Sequence, residues 1–264
     1  MKYIKQLILL MALIWSPKVF ADHMAGGYFE YYRLSNTMWH IDFFFLRDCQ
    51  GIQPSAPELL KKSDCGPEDE CIYLGFMTQI EVASTIDYGC GTECNNNHGY
   101  QLIHYGMNIE LSPCDSWTIS TAINERNEVD FVENEGRYYN YCKINTLYDN
   151  SSPNVTGANI VVGCTSYNAN SLYTVAATEG DQIIYDLVPA MNANVQFSIV
   201  DWCYPYPSQY GQGLSATTPF PGSPLDIQAD GSIEFTPTEI GTSYFAVRAR
   251  EYRNNVLIGE TLID

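Results

Sequence analysis

"GSIEFTPTEIGTSYFAVRARE" (residues 231–251) alternates apolar and polar residues twice. Ile233 and Phe235 share one face of a first run, which Thr236-Pro237 interrupts. After Ile240-Gly241, Phe245, Val247 and Ala249 share a face opposite Arg248 and Arg250. A period of two, punctuated by Pro and Gly, predicts short antiparallel strands with one wet face, because successive strand side chains point to opposite sides of a sheet.

The same pattern extends outward along the chain. "NIVVGC", "SLYTVAA", "QIIYDLV", "VQFSIVDW" and "LDIQ" precede this stretch and "NVLIGETLI" follows it, all within residues 159–263. Nearer the start, "GGYFEYYRLSNTMWHIDFFFLRDC" (residues 26–49) predicts a hairpin with its turn at Ser35-Asn36-Thr37 and with Trp39, Ile41, Phe43 and Phe45 on one face. Residues 72–85, 100–113, 114–127 and 136–148 predict further strands. The Pro-, Gly- and charge-rich segment 50–71 reads as a long loop with one helical turn at "APELLKK" (residues 56–62), and 88–100 as a second loop. No long run of helical period follows the first residues, so the fold class is all-β.

Lys2 and Lys5 precede the apolar run "LILLMALIW", and "VFA" ends at Ala21 with residues a signal peptidase reads. Residues 1–21 therefore read as a secretory signal peptide, the run being short for a membrane span, and no second run of spanning length follows. The polar, turn-rich "DNSSPNVTG" (residues 149–157) marks a boundary. The expected organisation is two immunoglobulin-like β-sandwich domains, a cysteine-rich one over 22–149 and a second over 150–264, the size of a seven-stranded sandwich.

Without Lys2, Lys5 and Lys18 the mature chain carries 10 basic against 31 acidic residues, a net charge of about −21. Such a surface repels phosphate backbones and anionic lipid, which argues against nucleic-acid and membrane-surface partners. It suits a solvated exterior or divalent cations. All nine cysteines lie beyond residue 21 and, in a secreted chain, read first as disulfides. "CGTEC" (residues 90–94) lacks a second half to complete a zinc site. Proximity favours Cys65–Cys71. Cys164 and Cys203, which stand alone beyond residue 149, are expected to pair with each other.

The chain holds no GxSxG elbow, HExxH helix, Walker loop or GxGxxG. Its four histidines, His23, His40, His98 and His104, read as surface or packing residues, so no catalytic residue is assigned. "DWCYPYPSQYGQG" (residues 201–213) gathers Trp202, Tyr204, Tyr206 and Tyr210, a ring-rich loop of the kind that contacts ligands such as sugars, although the rings could equally pack the core.

Several of these stretches together resemble the opening of large gliding-motility-associated, adhesin-like surface proteins of the Bacteroidota. They are "HMAGGYFEYYRLSNTMWHIDFFFLRDC" (residues 23–49), "YGMNIELSPCDSW" (105–117), "NSSP" (150–153), "AATEGDQIIYDLVPA" (176–190) and residues 213–259. The last also resembles immunoglobulin-like repeats related to those of cadherin and dystroglycan. The resemblance implies a secreted or cell-surface display module with a glycan or protein as partner and no catalysis; the competing class is an extracellular carbohydrate-active enzyme or its binding accessory. It further implies that these 264 residues are the N-terminal part of a longer adhesin, or a truncated relative. "NERN" (residues 124–127) stands where the family has two cysteines, and Ala177 where it has a carboxylate. A calcium site at Glu179 and Asp181 would thus be one charged ligand short.

Overall fold

The computed structural model describes residues 24–48, 55–66, 71–82, 100–123, 126, 129–133, 136–156, 169–171, 174–176, 181–194, 202–222, 224–235, 238–239 and 241–264. The signal-peptide stretch, Cys164 and Glu179 lie outside them. Within them the chain is all-β, without an α-helix. The strands are β1 (Met24–Arg33), β2 (Met38–Asp48), β3 (Glu58–Ser63), β4 (Cys71–Phe76), β5 (Thr78–Val82), β6 (Tyr100–Glu110), β7 (Trp117–Ile123), β8 (Arg137–Ile144) and β9 (Asn154–Thr156). They continue with β10 (Ala169–Ser171), β11 (Thr174–Ala176), β12 (Gln182–Val188), β13 (Met191–Ala193), β14 (Tyr206–Pro207), β15 (Asp226–Ile227), β16 (Ile233–Phe235), β17 (Ala246–Arg253) and β18 (Val256–Ile263).

β1 and β2 form the expected hairpin, and β2 pairs along its whole length with β6. The main sheet runs β4-β3-β7-β8-β18-β1-β2-β6-β5. Its two end strands, β4 and β5, are halves of a single run separated only by the buried Met77. The first half pairs with β3 and the second with β6, so one continuous run stitches the two ends together and the sheet curls into a nearly closed barrel. A bulge between β3 and β4 helps it turn. Gly75 there has φ 114°, a backbone conformation that a side chain would resist.

The barrel interior is apolar and aromatic. Phe29, Trp39, Phe43, Ile103, Trp117 and Ile144 meet there, drawn from five strands by the period-two pattern. Burying each such side chain contributes roughly 1.5–3 kcal/mol, which makes this the main source of stability. It also contains Cys142, a free thiol whose pKa burial pushes up and which is therefore inert.

β18 joins the two halves of the chain. β17 runs along one edge of it, while β8 and then β1 take the other: Gly259, Glu260 and Thr261 pair with β8, and Ile263 with Tyr28 of β1. Asn254 and Asn255, with φ 51° and 65°, make the two-residue β17–β18 turn, whose twist suits paired strands. The residues 231–251 that open the sequence reading do form two strands, but the strands do not pair with each other. β16 lies in a small sheet with β10 and β15, β17 in the large sheet with β12 and β18. Ile233 and Phe235 meet Val247, Ala249 and Ile263 in a second core on the outer face of the barrel, which also takes Tyr28 and Phe44.

Two expectations meet a different arrangement, and the segment around the expected boundary is packed. Residues 58–63, read as loop and helical turn, are strand β3, with Leu59 and Leu60 buried and β4 and β7 on either side. A helix there would leave two neighbouring strand edges unpaired. Cys65 bonds to Cys114 and Cys71 to Cys203, with Cα–Cα distances of 5.8 and 6.0 Å, in place of Cys65–Cys71 and Cys164–Cys203. The register sets Cys71 opposite Lys62 and leaves Cys65 beyond the strand end, facing the β6–β7 connection. The stretch 149–157, read as a junction, is packed from Asn150 to Pro153. Asn150 donates to the Ile258 carbonyl at 2.7 Å, and Ser152 exchanges hydrogen bonds with the Tyr31 backbone. Strands from both sides of it share the main sheet.

Candidate binding surfaces

The ring-rich loop is fastened to the barrel by Cys71–Cys203 and crosses the outer face of β3, β7 and β8. Trp202 is half-buried against Ala122, Tyr139 and Ala193, with the Arg137 guanidinium 5.1 Å from its ring centre. Tyr204 is 52 % exposed, and the Lys62 ammonium lies 4.8 Å from its ring centre. Each cation is held at the negative face of a ring. Tyr206 lies in β14, paired through β13 to β8. Tyr210 turns the other way, its hydroxyl buried, and burial pushes its pKa up. The four residues singled out from sequence therefore divide: Trp202 and Tyr204 build one ledge, Tyr206 stands beside it, and Tyr210 is half-buried with its hydroxyl turned inward. β4 adds Tyr73 and Phe76, both exposed and 6.4 Å apart edge to face, which the sequence reading treated only as strand.

Asp181 is engaged elsewhere. Its two carboxylate oxygens accept from Arg253 Nε at 2.8 Å and Nη2 at 2.7 Å, and its side chain is only 2 % exposed. Those hydrogen bonds hold its carboxyl below the usual range. A calcium ion would have to compete with this bidentate pair. Cys65, Cys114 and Asp115 also converge at metal-ligand spacing, but the two sulfurs are bonded to each other.

Two polar clusters escaped the sequence reading. The first is an interior ion pair in which Arg126, sandwiched between the rings of Tyr138 and Tyr244 at 4.7 and 4.3 Å, grips Asp264 with both terminal nitrogens. The side chains are 3 % and 1 % exposed, so each charge depends on the other. Nothing in "NERN" signals a partner 138 residues away.

The second lies on the outer face of β2 and β6. Asp42 Oδ1 receives His40 Nε2 at 3.0 Å and His104 Nε2 at 2.6 Å. Asn108 Oδ1 contacts the other nitrogen of His40. Tyr32 stacks on His40 at 5.0 Å and Phe44 on His104 at 4.4 Å, fixing both rings. His40 and Asp42 are two apart on one strand, hence on one face, which the sequence does show. The β2–β6 register that brings in His104, by setting it opposite Phe44, it does not.

No protein-family model matches the chain, and neither a curated protein nor a solved structure is significantly similar to it.

Proposed function

We propose that the chain is a secreted or cell-surface, adhesin-like module that binds a surface glycan without turning it over. The observation that carries this is the ledge of Tyr204 over Lys62 beside Trp202 over Arg137, fixed to the barrel by Cys71–Cys203. Aromatic faces stack on sugar rings, and the two cations favour sugars bearing carboxylate or sulfate. A positive ledge on a chain of net charge −18 also gives orientation to an acidic ligand. The two disulfides suit an oxidising exterior. The β12-β17-β18 sheet facing β10-β16-β15 supports an immunoglobulin-like reading of the second half. The resemblance of residues 23–49, 105–117, 150–153, 176–190 and 213–259 to gliding-motility-associated surface proteins supports this reading.

A glycan array followed by calorimetry with the best ligand tests this. Saturable binding of an acidic glycan, unchanged glycan after incubation, and loss of binding in Tyr204→Ala are expected. Hydrolysis of the ligand would move the protein to the enzyme class. Equal binding by wild type and the Trp202→Ala/Tyr204→Ala variant would remove the ledge from the account.

A further inference from the structure

We propose that the ligand is an extended acidic polysaccharide, laid across the strands from the Tyr204 ledge beside β3 to Arg250 on β17; this rests on the ledge reading above and names the class of its ligand. Lys62, Thr118, Lys143, Glu260 and Arg250 stand opposite one another in turn on β3, β7, β8, β18 and β17, so they form one row on the outer face. Lys62, Lys143 and Arg250 take every second place in that row. With strands about 4.8 Å apart, the cations recur at roughly 9–10 Å and the row spans about 19 Å. A single sugar ring is far shorter than this, and only a chain of several rings meets all three cations.

The chemistry of the ledge repeats along the face. The Lys62 ammonium lies 4.8 Å from the Tyr204 ring centre, the Arg137 guanidinium 5.1 Å from that of Trp202, and the Lys143 ammonium 6.0 Å from that of Tyr141. Arg137 and Lys143 share the outer face of β8 by strand alternation. Each pair sets an apolar ring face, which stacks on a sugar, beside a charge that receives a carboxylate or sulfate.

The positive charge is local. On the outward positions of β3, β7, β8, β18, β17 and β12, Lys62, Arg137, Lys143, Arg248 and Arg250 meet only three carboxylates, Glu58, Asp186 and Glu260, whereas the whole chain has 13 basic against 31 acidic residues. Arg248 and Arg250 share one oxygen of Asp186, at 3.2 and 2.6 Å, which leaves one positive charge over. Glu260 is 5 % exposed and accepts the Tyr141 hydroxyl at 2.8 Å, so it lies beneath the longer cations on either side. Arg137 and Lys143 make no ion pair among the described residues. A cationic strip on an acidic surface holds a polyanion in one place, since displacement to either side brings it against like charge. Nucleic acid, with a phosphate every 3.4 Å or so along each strand of a duplex, is too densely charged for cations about 9–10 Å apart.

Calorimetry of the whole disulfide-bonded chain with hyaluronate fragments, in which uronate and uncharged sugars alternate, tests the track. The octasaccharide should bind on the order of tenfold tighter than the disaccharide, because it engages several subsites at once. Its affinity should also fall more steeply as salt is raised, because more anions are neutralised. Lys143→Gln removes a cation without breaking an ion pair. It should weaken the octasaccharide roughly two- to fivefold, the range of an exposed ion pair, and leave the disaccharide unchanged. Tyr204→Ala should weaken both fragments. Absence of octasaccharide binding, equal affinity for the two lengths, or equal octasaccharide binding by wild type and Lys143→Gln would each overturn the track without touching the ledge, which the glycan array tests separately. Poly-glutamate or single-stranded DNA binding as tightly as the octasaccharide would overturn it too, by showing a surface that reads charge alone.

Discussion

At the scale of single residues, polar groups are kept in the fold by partners remote in sequence. Asp181 shows this with a measurable pH signature. Because Arg253 donates two hydrogen bonds to it, its folded carboxyl titrates below the ordinary value. The stability it contributes is fully present above about pH 3.9, the unfolded value, and is lost as pH falls through the depressed folded one. Asp181→Asn should therefore lower stability at neutral pH and flatten its dependence on pH below about 4; a denaturant series at several acidic pH values measures both. For the same reason calcium added to the wild-type protein should leave its melting temperature unchanged. A rise of several degrees would mean that the ion displaces Arg253 from Asp181.

At the scale of elements, close approach and cross-links decide which strands meet. Gly26 and Gly27, part of the "GGY" motif, lie where the end of β18 docks on β1. Gly27 and Asp264 exchange backbone hydrogen bonds at 2.8 and 3.1 Å. A Cβ on Gly26 would collide with the Asp264 backbone carbonyl, which cannot swing aside as a side chain could. Gly26→Ala should destabilise by about 1–3 kcal/mol, the range for overpacking, read as a lower urea midpoint. The disulfides act across longer distances. Cys71–Cys203 closes a span of 132 residues and Cys65–Cys114 one of 49. The chain-entropy relation gives about 5 and 4 kcal/mol for them. Non-reducing peptide mapping should recover both linkages, and Cys71→Ser/Cys203→Ser should lower stability more than Cys65→Ser/Cys114→Ser.

For the whole molecule, β18 makes the two halves interdependent. It joins β17 on one edge and β8 and β1 on the other, while Tyr28 and Phe44 of the barrel enter the core of the second half. Heating should give one cooperative transition, and a chain ending before Val256 should lose the barrel as well as the outer sheet, seen as collapse of near-ultraviolet dichroism from the buried tryptophans. Two resolved transitions, or a truncated chain with native dichroism, would show that each half stands alone.

Much of the local structure is legible in the sequence, because period-two burial is a property of neighbours. The strand Gln182–Val188, the two faces of residues 245–250 and the β1–β2 hairpin were all readable from alternation and turn residues. "APELLKK" was not, since a leucine pair flanked by charge suits a helical turn until two strands flank it. The ring-rich loop was visible as composition, yet only packing sent Tyr204 outward and Tyr210 inward. Pairing of His104 with Asp42, of Arg126 with Asp264 and of Cys71 with Cys203 spans 62, 138 and 132 residues. By itself the sequence determined the strand class, the polarity of each face and the supply of rings, carboxylates and thiols. Tertiary structure alone decided which of them meet, because register and barrel closure depend on contacts between residues that no local pattern links.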